Sequence, residues 1–286
     1  MKDGRRLIAA ETIAILERGW YDHHEVGRVR IAEDLARSAA GTRLWTPAES
    51  LAALGEFTTS ASAAIGRAAS RIEVTNEASL AAARRLRGLG GLVGCLNFAS
   101  AKNPCGGFRG GAEAQEESLA RSSGLYRCLL EVPGFYAFHR SQRDLLYSDH
   151  AIFSPAVPVF RDERGALLAQ PFPVAFVTAA APNAGALGRE HPRAALLPEV
   201  LSARAAKVLA VFWASGLRRL VLGAWGCGVF RNPPASVAAA FAEHLGPSGL
   251  FHSSFDHVIF AVLDRAPGTP TFAAFAAALA TPQICI

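Results

Sequence analysis

A chain of 286 residues, 51% of them hydrophobic, is long enough for one large core or two small ones. Its formal charge of +5 favours anionic partners, but only three lysines occur and no run of five basic residues does, which argues against a dedicated nucleic-acid groove. No stretch of 18 apolar residues is free of charge, and the most apolar segment, "PFPVAFVTAAAP", is short and holds three prolines, so a membrane-spanning helix is not expected. Five cysteines without CxxC spacing (Cys95, Cys105, Cys128, Cys227 and Cys285) argue against a disulfide framework and a structural zinc site; each is expected as a small buried hydrophobe.

The first 85 residues read as helical. "RRLIAAETIAILERGW" places Leu7, Ile8, Ile13, Ile15 and Leu16 mainly on one side, and Glu11 interrupts the apolar run that a secretory leader would need. A cytoplasmic protein is therefore expected. "DHHE" (residues 22–25) reads as a solvated turn. "TPAESLAALGEF" opens with Thr46 as cap, Pro47 at the first helical position and Glu49 two residues later, a capping box. "NEASLAAARRLRGLGG" predicts a helix capped by Asn76 and ended by Gly88.

From about residue 90 short apolar runs alternate with small-residue loops and helices. "GLVGCLNF" (91–98) leads to a helix beginning near Gln115, and "VPVFRDERGALLAQPF" predicts a hairpin turning at Asp162 to Gly165. "VAFVTAAAPNAGA", "LRRLVLGAWGCGVFRNPP" and "HVIFAVLD" each precede a further helix. This alternation predicts an α/β fold with a largely parallel sheet covered by helices on both faces. Ligands in such sheets bind beyond the carboxyl ends of the strands. The loops gathered there are "NFASAKNPCGGFRGG", "APNAG" and "GAWGCGVFRNPP".

Two stretches carry chemistry. Gly223, Gly226 and Gly228 follow a predicted strand and let backbone N–H groups converge on an anion; Phe230, just beyond, either packs in the core or stacks on a ligand. The second stretch sets glycines at 106, 107, 110 and 111 before Gln115, Glu116 and Glu117. Glu117 and Arg121 are i,i+4 partners for a surface ion pair, and carboxylates suit a helix start. The sharper reading gives the two glutamates different tasks, since neighbours on a helix point about 100° apart. One orients a hydroxyl; the other, its pKa raised by burial and a like-charged neighbour, moves a proton. Glycosidic cleavage through an oxocarbenium-like state is the chemistry implied, with the glycines admitting a sugar-phosphate close to the backbone.

At these residues the sequence resembles the bacterial-type poly(ADP-ribose) glycohydrolases of the macrodomain superfamily. The signature of that family is three glycines, a short spacer and Gln-Glu-Glu; here it stands as Cys105-Gly106-Gly107, seven residues, and Gln115-Glu116-Glu117. "LNFASAKNP", "SLARSSGLY", "YSDHAIFSPAVPVFRD" and "GAWGCGVFRN" are similar as well, over roughly residues 90 to 264. The resemblance implies a macrodomain-like three-layer α/β/α sandwich (residues 86–286) with an N-terminal helical accessory region (1–85). It implies Glu117 as catalytic acid, Glu116 on a ribose hydroxyl, and Gly226, Cys227, Gly228 and Val229 on a diphosphate. Phe230 falls beside the distal ribose, with Asn103, Gly106, Gly107 and Gln115 also on the substrate. No metal or redox cofactor is implied. The expected partners are poly(ADP-ribose) or ADP-ribose and ADP-ribosylated proteins, with nucleic acid only as an ADP-ribosylated target.

Cys105 departs from the signature, standing where the first glycine belongs. It is strained if φ is positive there, and narrows the cleft mouth if the backbone is ordinary. Two alternatives stay open: an ADP-ribose-binding module with weak catalysis, and a hydrolase of another ADP-ribose linkage.

Overall fold

The computed structural model describes residues 2–61 and 68–279. Among the described residues nine strands form a two-stranded hairpin, β1 (Trp20–His23) with β2 (Gly27–Arg30), and one seven-stranded sheet. The sheet is built from β3 (Arg43–Trp45), β4 (Arg71–Thr75), β5 (Val93–Phe98), β6 (Ala151–Arg161), β7 (Leu167–Ala179), β8 (Arg219–Leu222) and β9 (His257–Ala261). Its order is β3-β6-β7-β5-β8-β9-β4; β7, β5, β8, β9 and β4 run parallel, and β6 is antiparallel to both its neighbours.

Alternation along the strands feeds two apolar cores. On one face Leu96, Val177, Leu220 and Phe260 pack with the helices Leu197–Ala214, Pro234–Leu245 and Pro270–Leu279. On the other, Cys95, Phe176, Val221 and Ile259 pack with Ser79–Arg87, Gln115–Ser122, Leu125–Leu129 and Pro133–Ser141. Since successive strand residues point to opposite faces, buried runs such as Val93–Leu96 serve both layers at once. The fold is the expected three-layer α/β/α sandwich.

The N-terminal part differs from its wholly helical reading. It supplies the hairpin β1–β2 and both edge strands of the main sheet, β3 against β6 and β4 against β9. β4, "RIEVT", is only half-buried, so its polar residues hide its strand character; Glu73 there pairs with Arg71, Arg85 and His257. Within the helix Lys2–Arg18 the buried face is Ala9, Thr12, Ile15 and Leu16, and Leu7 is 72% exposed. The capping box forms as expected: Thr46 N donates to Glu49 Oε2 at 2.8 Å and Glu49 N to Thr46 Oγ1 at 3.2 Å. Asn76 caps no helix. It exchanges hydrogen bonds with the backbone of Asp264, and the helix starts at Ser79 with Ala78 as its cap residue.

The 162–165 hairpin turn closes as predicted, with Asp162 N donating to Ala166 O and Gly165 at φ +90°. At the β1–β2 turn His23, His24 and Glu25 bring ligand-type atoms within 4.8 Å of one another; none of them lines the main cleft. Cys95, Cys105 and Cys128 are buried and Cys227 is half-buried, while Cys285 lies outside the described residues. Among the described residues no helix is long and apolar enough to cross a membrane.

Candidate active site

The loops after β5, β8 and β9, three adjacent strands, open into one cleft of about 1100 Å3. Asn103, Gly106, Gly107, Gln115, Glu116, Glu117 and the segment Gly226 to Phe230 all line it. Two stretches more than a hundred residues apart thus meet across one space, as the signature requires.

Gln115 opens the helix Gln115–Ser122 and fixes where it starts. Its Oε1 accepts from Phe98 N at 3.0 Å, and its Nε2 donates to Leu96 O at 2.7 Å and Ser79 Oγ at 3.2 Å. Both amide hydrogens are engaged within the protein, which pins the helix to the end of β5. Glu116 is 2% exposed. Its Oε1 accepts from Asn97 Nδ2 at 3.1 Å and its Oε2 from Ser100 N at 2.7 Å. Burial is the largest influence on this carboxyl and pushes its pKa up to about 8, with the charge of Glu117 adding to the rise and the two N–H donors opposing it.

Glu117 Oε1 accepts from Gly107 N at 3.0 Å. Its Oε2 is buried and has no hydrogen-bond partner. The expected Glu117–Arg121 ion pair is not formed: Arg121 is buried and donates through Nη1 to Ala112 O at 2.8 Å, holding the loop closed instead. The two carboxyl groups converge beside Gly106. A Cβ there would collide with Glu117 Oε1 and stand 3.2 Å from Glu116 Oε2, and φ is +55°.

The glycines therefore make room for the protein itself. Gly106 admits the Glu117 carboxylate; Gly111, at φ +75°, admits the N-terminal helix, whose Lys2 carbonyl would be 2.6 Å from an added Cβ. Arg5 of that helix reinforces the contact, donating from Nε to Gly111 O at 2.9 Å and pairing with Glu113 at 2.7 Å. Cys105 also has positive φ, +56°, so the first of the two readings of that position holds. Its side chain is fully buried in the core and does not line the cleft, and burial raises its thiol pKa well above the usual value.

On the opposite wall the amides of Gly228, Val229 and Phe230 make no hydrogen bond among the described residues, whereas Cys227 N is taken by Ala224 O at 3.1 Å. Successive free amides form a concave donor set for an anion. Val229 is 79% exposed, and Phe230 is half-buried at the edge of the core. Gly226, at φ +75°, is required by close packing, since a Cβ would lie 2.5 Å from both Ala181 Cβ and Asn232 Nδ2. The "APNAG" loop does not line the cleft as expected. It braces this wall from behind: Asn232 Nδ2 donates to Pro182 O at 2.8 Å and Gly185 N to Phe230 O at 2.8 Å.

Fold and cleft together define a macrodomain-like protein with a paired-glutamate site. The family model for the microbial-type PARG catalytic domain matches residues 9–162, and the chain belongs to this family, the microbial poly(ADP-ribose) glycohydrolases. The matched residues include most of the N-terminal segment, beyond the stretch of roughly 90 to 264 that carries the similar motifs. The structure is similar to poly(ADP-ribose) glycohydrolase from Thermomonospora curvata bound to the inhibitor ADP-HPD: 55% identity, 96% of this chain and 99% of that one covered, TM-score 0.89. It is also similar to the Deinococcus radiodurans enzyme in complex with ADP-ribose: 45% identity, 88% and 98% covered, TM-score 0.79. A comparison with curated proteins gives no match.

Sequence reasoning missed Asn97, the Ser100 amide and Arg5. Asn97 stands in the quoted "LNFASAKNP". A polar residue at the inward end of an otherwise apolar strand was its available signal.

Proposed function

We propose that this chain hydrolyses the ribose–ribose O-glycosidic bond of poly(ADP-ribose) and releases ADP-ribose. One observation carries the reading: Glu117, whose Oε2 has no hydrogen-bond partner, and the free amides of Gly228 to Phe230 line the same cleft. Membership of the family and the ADP-ribose and ADP-HPD complexes of its relatives support the same ligand.

The amides of residues 228–230 take the diphosphate, and Phe230 flanks the distal ribose. Glu116, held rigidly by Asn97 and Ser100, hydrogen-bonds a ribose hydroxyl and fixes the sugar relative to Glu117. Glu117 delivers a proton to the leaving oxygen of the neighbouring ribose as the glycosidic bond breaks. The oxocarbenium-like sugar is then attacked by water, whose proton returns to the Glu117 carboxylate. The Gly107 amide keeps one Glu117 oxygen in place and leaves the other with no partner inside the protein. Asn103 lies at the rim, where it reaches a ribose, and Gln115 acts by locking the helix that presents both glutamates.

Poly(ADP-ribose) attached to proteins is the partner that fits this chemistry. Free cysteines and the absence of a membrane-crossing helix among the described residues accord with a cytoplasmic location, which we also propose. With the Cys105 side chain turned into the core, a binder without catalysis has no feature of its own in the cleft.

The test is Glu117→Gln. Turnover should fall by about 10²–10⁴-fold, the span typical of a lost general acid, while ADP-ribose affinity stays within a few-fold of wild type. A variant that turns over at close to the wild-type rate removes Glu117 from its role.

A further inference from the structure

Tyr147 takes no part in the polar chemistry of the cleft, yet its backbone sits at φ +57°, a region that disfavours any residue with a Cβ. Such a conformation persists only where its surroundings fix it. Arg204, 3% exposed, fixes both sides of it: Nη1 donates to Leu146 O at 2.9 Å and to Ala180 O at 3.0 Å, and Nε donates to Asp149 Oδ1 at 2.8 Å. Lys207 pairs with the other oxygen of Asp149. The turn is thereby tied to the end of β7.

This turn delivers the Tyr147 ring to the back of the cleft wall. Its centroid is 5.6 Å from that of Phe230, with the planes tilted by 51°. Its hydroxyl accepts from Asn183 Nδ2 at 3.3 Å, and Asn183 N donates to Leu145 O at 2.8 Å. Two residues on, Gly185 N donates to the Phe230 carbonyl at 2.8 Å. Phe230 is gripped at its ring by Tyr147 and at its backbone by the loop that Tyr147 anchors.

We propose that Tyr147 is a positioning residue that holds the Phe230 ring against the distal ribose of ADP-ribose, and so sets affinity for that half of the ligand. This rests on the ADP-ribose reading given above. A half-buried phenyl ring at a cleft edge rotates freely unless something backs it, and a tilted aromatic neighbour does so at little entropic cost.

The experiment measures equilibrium binding of ADP-ribose and of ADP, which lacks the distal ribose, to the wild-type chain and to Tyr147→Asn. Asparagine tolerates left-handed backbone, so the turn is kept while the ring is lost. ADP-ribose affinity should fall about 3–10-fold, the span of one aromatic pair, with ADP affinity unchanged. Tyr147→Phe should stay near wild type for both ligands, and Tyr147→Asn combined with Phe230→Leu should be no weaker than Phe230→Leu alone. Equal losses for ADP and ADP-ribose, unchanged ADP-ribose binding, or additive losses in the double variant would each overturn the role. A wild-type chain that binds ADP but not ADP-ribose would overturn the underlying reading and this proposal with it. If Tyr147→Asn does not fold, the Tyr147→Phe and Phe230→Leu pair decides: a hydroxyl deletion that costs as much as loss of the Phe230 ring contradicts packing as the cause.

Discussion

The amide of Gly107 donates to Oε1 of Glu117 at 3.0 Å, and the residue before it leaves no space for a Cβ on that side. The glycine signature and the glutamate signature are therefore one structural unit: the first exists so that the second can turn into the cleft.

Gly106→Ala should displace the Glu117 carboxylate. The added methyl meets Oε1 directly, and φ of +55° strains alanine as well. Turnover is expected to fall by about 10²-fold or more, comparable with losing the acid. Binding of ADP, for which we propose the 228–230 amides, should be kept. Steady-state kinetics beside ADP titration reads both, and a fully active variant would contradict the coupling.

Cys105→Gly should leave turnover unchanged, because the thiol points away from the cleft. Relief of left-handed strain contributes about 1–2 kcal/mol, and loss of a buried side chain with added unfolded-chain freedom offsets a similar amount. Thermal melts should differ by only a few degrees. A several-fold gain in turnover would show that this position touches the substrate after all.

Glu116 sets a pH signature. Its folded-state pKa of about 8 lies above the 4.5 of an ordinary glutamate, so the folded state binds the proton more tightly. This group's contribution is fully present below the unfolded value and is lost as pH rises through the folded one. Glu116→Gln cannot lose that proton. The variant should gain stability relative to wild type between about pH 5 and about pH 8, seen as a flatter melting temperature against pH. Parallel profiles would contradict a buried, high-pKa carboxyl at this site.

Residues 86–286 alone should not fold cooperatively. Removing the first 85 residues strips β4 from β9 and β3 from β6, and takes away the helix that closes on Gly111. Denaturant unfolding of the fragment checks this; a sharp two-state transition would mark the N-terminal part as dispensable.

Sequence showed the centre of this molecule better than its edges. β5, β8, β9 and the Val174 to Ala179 half of β7 are buried on both faces and read as apolar runs, each followed by a patterned helix. β3 has three residues and β4 is half polar, so neither carries a periodic signal. The site was legible where its partners are neighbours along the chain, as with Gly106, Gly107, Glu116 and Glu117. It was opaque where partners are distant. Asn76 looks like a helix cap, but its partner Asp264 is 188 positions away. The ion pair expected between Glu117 and Arg121 satisfied helical spacing, yet the loop carbonyl of Ala112 claims the guanidinium. Tyr147 gave no sign at all, because its partner Phe230 lies on another loop.

The most direct measurement is incubation of the purified chain with poly(ADP-ribose), followed by chromatography of the products. Free ADP-ribose should accumulate with the wild-type chain and not with Glu117→Gln. Intact polymer after prolonged incubation with the wild-type chain, or equal release by both proteins, would contradict Glu117 as the proton donor in this cleft.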